Sequence, residues 1–244
     1  MRHNKIHSNY YFVAMPVYQL TDDFPLFPPA EEAEADGLLA IGGDLTKERL
    51  LEAYRHGIFP WYEVGQPILW WSPNPRLVLF PEEIKISRSL RKVVRKQEFE
   101  IRFDSSFGNV IKACAEVRTK KGKGTWIIPE MQQAYTELHR EGYAHSVESW
   151  LNGKLVGGLY GISLGQCFFG ESMFSTVNNS SKASLVALAE FSKQVGIKII
   201  DCQMTTQHLL SLGAREIDRQ LFLRRLNQYL EKPDIKGSWY GRSN

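Results

Sequence analysis

The sequence predicts a mixed α/β fold, and three stretches carry that prediction. Residues 144–163 hold two strand-like runs around Asn152-Gly153, a pair that accepts the positive φ angles of a tight hairpin turn. Ser180 or Ser181 opens a long helical pattern to Val195, and Gly196 releases the chain into an apolar strand at 197–201. Ser87 opens a shorter helix with one narrow apolar stripe, Leu90, Val93 and Val94.

Composition is consistent with that class. The 244 residues are 43% hydrophobic and 23% charged, which excludes disorder, collagen and coiled coil. No run approaches the ~18 apolar residues that span a bilayer, so a soluble protein is expected. The apolar run 10–18 is broken by Pro16 and followed by Asp22 and Asp23, so it reads as an extension rather than a signal peptide. Cys114, Cys167 and Cys202 are an odd number without a Cys-x-x-Cys, which suits a cytoplasmic protein and excludes a disulfide framework.

The remaining elements follow in order. Residues 37–45 read as a short apolar strand or turn, and Thr46 caps a helix carrying Leu50, Leu51 and Tyr54 that stops at Gly57. Residues 57–75 read as irregular, because their prolines forbid a long helix. Residues 99–103 alternate as a strand, a helix with Phe107, Val110, Ile111, Cys114 and Val117 inward follows, and 119–124 form a glycine-lysine loop. Residues 131–139 are helical, 167–171 form a strand, and two short helices near 205–211 and 218–230 finish the chain.

Charge is uneven. Residues 1–84 hold 6 Lys/Arg and 12 Asp/Glu, whereas residues 85–123 hold 12 and 4. That divides the chain into a small acidic part, 1–84, and a larger part, 85–244, opening with a basic segment. In helix 87–97, Arg88, Arg91, Lys92, Arg95 and Lys96 share one arc with no anion between Lys85 and Gln97. Such an arc is a footprint for phosphate, which positions a polyanion without reading its sequence.

Other motifs are weaker. The six histidines form no His-Glu-x-x-His, so no metal site is expected. Residues 121–125 lack the first glycine and the Ser/Thr of a phosphate-binding loop. Gly157, Gly158, Gly161 and Gly165 lie along a strand, where close backbone packing or ligand approach explains them better than a dinucleotide site. The tryptophans at 61, 70, 71 and 126 are core candidates, although one or two in loop settings could stack on a base.

Asp201 and Gln203 are two apart at the end of an apolar strand, where alternation puts both on one face and turns Cys202 away. They read equally as a catalytic pair or as a carboxylate capping the next helix. Glu171, after Phe168 and Phe169, is a carboxylate in apolar company that needs a partner, often a cationic substrate.

In order, the blocks GLLAIGGDL, RHGIFPWY, PILWWSPNPR, ISRSLRK, GTWI, AHSVESW, LVGGLYG, FFGESMFS, NSSKASL and IIDCQMTTQHLLSLGAREI resemble the leucyl/phenylalanyl-tRNA–protein transferase family over about residues 24–229. The resemblance implies a small N-terminal domain and an acetyltransferase-like (GNAT-type) C-terminal domain with a mixed, mostly antiparallel sheet. It implies transfer of leucine or phenylalanine, and methionine less well, from aminoacyl-tRNA to the α-amine of an N-terminal Arg or Lys. The product would carry a bacterial N-end-rule degradation signal.

By position it implies that Asp201 and Gln203 are the catalytic pair and Glu171 an active-site carboxylate. Trp61 and Trp126 flank the terminal adenosine, and Leu159, Phe168, Leu188 and Ile200 line the donor pocket. Alternation would place Ile200 opposite Asp201, so its role requires a distorted strand end. No metal or nucleotide cofactor is implied, because the donor is already an activated ester. Asp201 polarising Gln203, which accepts from the amine, would manage the proton, and no acyl-enzyme is expected. Two other readings remain: an acetyl-coenzyme A transferase, which would want a pyrophosphate loop not found here, and a non-enzymatic tRNA-binding module.

Overall fold

The computed structural model describes residues 17–120 and 125–241. Most of the N-terminal extension and most of the glycine-lysine loop lie outside the described residues.

A small sheet comes first. Strand β1 (Tyr18–Leu20) runs parallel to β2 (Leu38–Gly42), helix α1 (Lys47–Arg55) follows, and β3 (Phe59–Pro60) and β4 (Leu69–Trp71) complete the order β1-β2-β4-β3. Thr46 Oγ1 accepts from the Arg49 N–H, and Gly57 at φ +71° turns the chain out of α1, as expected. The stretch 57–75 is more regular than predicted, since it holds β3 and β4. Trp70 is wholly buried, edge-on to Phe27, and its indole N–H donates to Gly42 O at 2.8 Å. Strands of two or three residues are too short for alternation to register.

The second sheet is larger. Strand β5 (Arg76–Leu79), α2 (Arg88–Arg95), β6 (Glu100–Phe103), α3 (Phe107–Lys120), α4 (Pro129–Arg140), β7 (Ala144–Leu151), β8 (Lys154–Leu164) and β9 (Cys167–Ser175) follow in turn. They lead to α5 (Ser180–Val195), β10 (Ile199–Gln203), α6 (Gln207–Leu210), β11 (Arg215–Ile217) and α7 (Arg219–Leu230). The order is β11-β5-β10-β9-β8-β7-β6, antiparallel everywhere except between β9 and β10. This is the mixed, mostly antiparallel sheet expected, with Asn152 and Gly153 turning the hairpin at φ +50° and +71°. Strands β5 and β11 were not foreseen. Residues 76–79 are buried along their whole length and show no alternation. With β5 in the large sheet, the chain changes sheets between Trp71 and Arg76, ahead of the division at residue 84.

One face of the large sheet carries the major core, including Tyr54 of α1, Tyr135 of α4, Tyr160 and Phe169, and this core continues into the small sheet through Leu39 and Trp70. The other face packs Leu159, Phe168 and Ile200 against Leu188 of α5. Gly161 packs so closely that a Cβ would lie 2.1 Å from Phe169 O, which favours the backbone-packing reading of that glycine. In α2, Leu90 is buried but Val94 is 39% exposed, so the apolar stripe is narrower than its spacing suggests.

Candidate active site

The parallel strands β9 and β10 pair only from Cys167 to Phe169 and from Ile199 to Asp201. Just beyond, each slips register against its other neighbour. Tyr160 faces Ser172 while Gly161 faces Gly170, which leaves Glu171 as the extra residue of β9. Asp201 faces Val78 while Gln203 faces Leu77, and Gln203 takes φ +63°. Bulges re-aim side chains, and these two turn Glu171 and Gln203 toward each other. Gln203 Nε2 donates to Glu171 Oε1 at 2.8 Å.

A cavity of about 390 Å³ opens at this gap. All six positions proposed for substrate contact line it: Trp61, Trp126, Leu159, Phe168, Leu188 and Ile200, together with Glu171 and Gln203. Tyr160 reaches it from the major-core face, whereas Leu159, Phe168 and Ile200 reach it from the other. The cavity therefore runs through the gap between strands. Sequence reasoning missed Leu185, Tyr160 and His208 in the lining. Leu185 could have been found, since it lies one helical turn before Leu188, but His208 carries no local signal.

Glu171 is 7% exposed and held by three donors. Tyr54 Oη lies 2.6 Å from Oε1, Tyr135 Oη lies 2.9 Å from Oε2, and Gln203 completes the set. The two phenols also hydrogen-bond each other. Burial pushes the carboxyl up to about 7, against the opposing pull of its three donors, with the Asp201 charge adding a further upward push. Both phenols are raised well above their ordinary value, first by burial and then by the Glu171 charge, so they stay protonated donors.

Asp201 departs from the expected arrangement. Its carboxylate is fully buried and clasped by Arg76, Nε to Oδ1 at 2.8 Å and Nη2 to Oδ2 at 2.7 Å. Arg76 in turn lies between the rings of Phe59 and Phe222, 4.8 and 4.7 Å from their centroids. Asp201 meets Gln203 at the backbone, accepting its N–H at 3.0 Å, and it is absent from the cavity lining. The carboxylate on the Gln203 side chain is Glu171. The bulge is the reason: it breaks the alternation that would have put Asp201 and Gln203 on one face. It also brings Cys202 into the lining beside Gln203, correcting the expectation that this side chain turns away. Burial pushes the Cys202 thiol strongly up, so no thiolate is available as a nucleophile.

Tryptophans divide by position. Trp70 is core, Trp71 donates from its indole to Trp61 O at 2.7 Å, and Trp61 and Trp126 line the cavity, 39% and 7% exposed. Arg88, Arg91, Lys92, Arg95 and Lys96 are all exposed on or just after α2. Among the described residues none of the five forms an ion pair, no three His, Cys, Asp or Glu side chains gather as metal ligands, and no helix is long and apolar enough to cross a membrane.

A mostly antiparallel mixed sheet, whose one parallel pair separates to admit a cavity, defines a mixed α/β protein. Residues 78–227 match the family profile described as leucyl/phenylalanyl-tRNA protein transferase, and residues 43–74 match that of its N-terminal domain. The chain is 57% identical over 229 residues to the leucyl/phenylalanyl-tRNA–protein transferase of Syntrophobacter fumaroxidans, covering 94% of this chain and 97% of the relative. It is 58% identical over 221 residues to that of an Azoarcus species, covering 90% and 94%. The chain belongs to the leucyl/phenylalanyl-tRNA protein transferase family. Similar solved structures include a conserved Staphylococcus epidermidis protein of unknown function, at 10% identity and TM-score 0.42, covering 74% of this chain and 68% of that one. Another is an aminoglycoside acetyltransferase from an uncultured soil metagenomic sample, at 14% identity and TM-score 0.37, covering 59% and 97%.

Proposed function

We propose that this chain moves leucine or phenylalanine, and methionine less well, from aminoacyl-tRNA to the α-amine of a protein beginning with Arg or Lys. The product would enter N-end-rule degradation in the bacterial cytoplasm. The observation that carries this reading is the cavity, which gathers an apolar chamber, two tryptophans and a buried Glu171–Gln203 pair at one opening.

In this reading Trp61 and Trp126 flank the terminal adenosine, while Leu159, Phe168, Leu188 and Ile200 hold the donor side chain. Gln203 presents its free amide oxygen to the reacting amine. Asp201 supports Gln203 from behind. The cations of α2, at the head of the 85–244 part, hold the tRNA phosphates. The 1–84 part supplies Trp61 and Tyr54. The ester donor needs no metal or nucleotide, so catalysis is chiefly positioning and the transfer of one proton.

The test supplies purified protein with leucyl-tRNA and a substrate protein beginning with arginine, and compares acetyl-coenzyme A as donor. Leucine transfer without added metal or ATP is expected. Acetyl transfer, or no product with charged tRNA in excess, would replace this reading with one of the alternatives.

A further inference from the structure

We propose that Glu171 is the proton shuttle of the transfer, held ready by a hydrogen-bond ring with Tyr54 and Tyr135. This rests on the aminoacyl-transfer reading above.

The ring has three oxygen–oxygen contacts: Tyr54 with Glu171 Oε1, Tyr135 with Glu171 Oε2, and Tyr54 with Tyr135. Each phenol brings one proton, so an ionised Glu171 leaves one contact without any. A proton on Glu171 completes the circuit. The carboxyl then donates to one phenol, that phenol to the other, and the second back to the free carboxyl oxygen. The ring is thus built to take up one proton, while the Gln203 amide steadies the carboxyl from a third side.

Only one ring member lines the cavity, and it is Glu171; both phenols are fully buried behind it. Asp201 has no such access. Its oxygens are occupied by the Arg76 guanidinium and the Gln203 N–H.

In the reaction the amine nitrogen bonds to the ester carbonyl carbon, and the bond from that carbon to the ribose oxygen breaks. One N–H proton passes to Glu171 and then to the departing ribose oxygen, which leaves as a hydroxyl. Glu171 ends as it began, with the proton count balanced. A carboxyl poised near neutrality serves both halves of this exchange. The charged and titratable groups around it are Tyr54 on α1, Tyr135 on α4 with Tyr160 edge-on against it, and Asp201 on β10 with its charge met by Arg76.

Three measurements test the shuttle. In the free protein, infrared difference spectra with isotope-labelled glutamate should show one carboxyl titrating near neutral pH, lost in Glu171→Gln. In transfer assays at saturating donor, Glu171→Gln should lower kcat by about 100-fold or more and abolish an inflection near pH 7, leaving acceptor KM within about threefold. Tyr135→Phe opens the ring while keeping the carboxyl, and should shift that inflection without relaxing the preference for Arg and Lys. The shuttle is overturned if Glu171 does not change protonation between pH 5 and 9. It is overturned equally if Glu171→Gln keeps kcat and raises acceptor KM, which would make Glu171 a binder of the acceptor's cationic side chain. Should the wild type transfer no leucine, the functional reading fails, and the infrared titration still decides the ring.

Discussion

Gln203 reaches Glu171 across 2.8 Å at the point where their two strands have ceased to pair. The contact depends on Gln203 standing at φ +63°, a left-handed conformation that costs a non-glycine residue of order 1 kcal/mol. Glycine adopts that angle freely. Gln203→Gly is therefore expected to fold with stability within about 1 kcal/mol of wild type, relief of strain offsetting one lost hydrogen bond. Transfer should nonetheless fall by about 100-fold, since the amide facing the amine is gone. Denaturant midpoints beside transfer rates check this, and an active Gln203→Gly would remove the side chain from the mechanism.

Arg76 and Asp201 form a buried bidentate pair, which is costly to break from one side. Removing one partner typically costs about 3–5 kcal/mol, whereas replacing both with neutral groups is far milder. Arg76→Met should lose stability on that scale, and Arg76→Gln combined with Asp201→Asn should recover most of it. Transfer by the recovered double variant should stay low, because the neutral amide oxygen of Asp201→Asn holds the Gln203 N–H less firmly than the charged carboxylate does. A double variant that folds well and transfers at the wild-type rate would make the pair purely structural.

Much of the scaffold is legible in the sequence because its chemistry is local. Asn152-Gly153, Thr46 and Gly196 each specify a turn or cap by themselves, and the structure uses all three as such. Strands β5 and β11 are not legible, because three or four residues become a strand only when a distant neighbour supplies the pairing: β5 lies between β11 and β10, and β11 pairs with β5 at the sheet edge. The site divides in the same way. Its lining follows from motif resemblance. Tyr54 lies 117 residues and Tyr135 36 residues from the Glu171 they hold, and nothing local joins them. Asp201 misleads because alternation presumes a regular strand, and the bulge sits between the two residues to which alternation is applied.

The arc on α2 makes an ionic-strength prediction. With five exposed cations, none of them in an ion pair among the described residues, charged tRNA should release counterions on binding. Neutralising Arg91 and Arg95 should weaken tRNA binding and reduce the logarithmic salt slope by roughly two counterions. Transfer from a minimal aminoacyl-adenosine donor at saturation should be spared. Equal loss with both donors would assign the helix a structural role.

Leu159 pairs across the hairpin-side strands with Met173, and both line the cavity. Enlarging this wall should shorten the chamber, so Leu159→Phe should favour leucine over phenylalanine. One methylene is worth about 1–3 kcal/mol of discrimination, which makes the change graded rather than absolute. An unchanged leucine-to-phenylalanine ratio would remove Leu159 from the donor contacts.

The raised carboxyl of Glu171 also makes stability depend on pH, with a definite sign. Its ordinary value is 4.5, and burial lifts it to about 7 in the folded chain. Below about pH 4 the group is protonated folded or unfolded, and no difference arises. Between those two values only the folded state keeps the proton, so the folded state binds more protons and its stability falls as pH rises. Above about pH 7 both states are ionised, and the accumulated loss, on the order of 3 kcal/mol, stays constant. Glu171→Gln cannot titrate, so its stability relative to wild type should improve from pH 5 to pH 8. Other titrating groups are common to both proteins and largely cancel in the difference. Urea midpoints at the two pH values are the measurement. A difference between the proteins that is independent of pH would mean that Glu171 ionises at its ordinary value, with the phenols and Gln203 offsetting its burial.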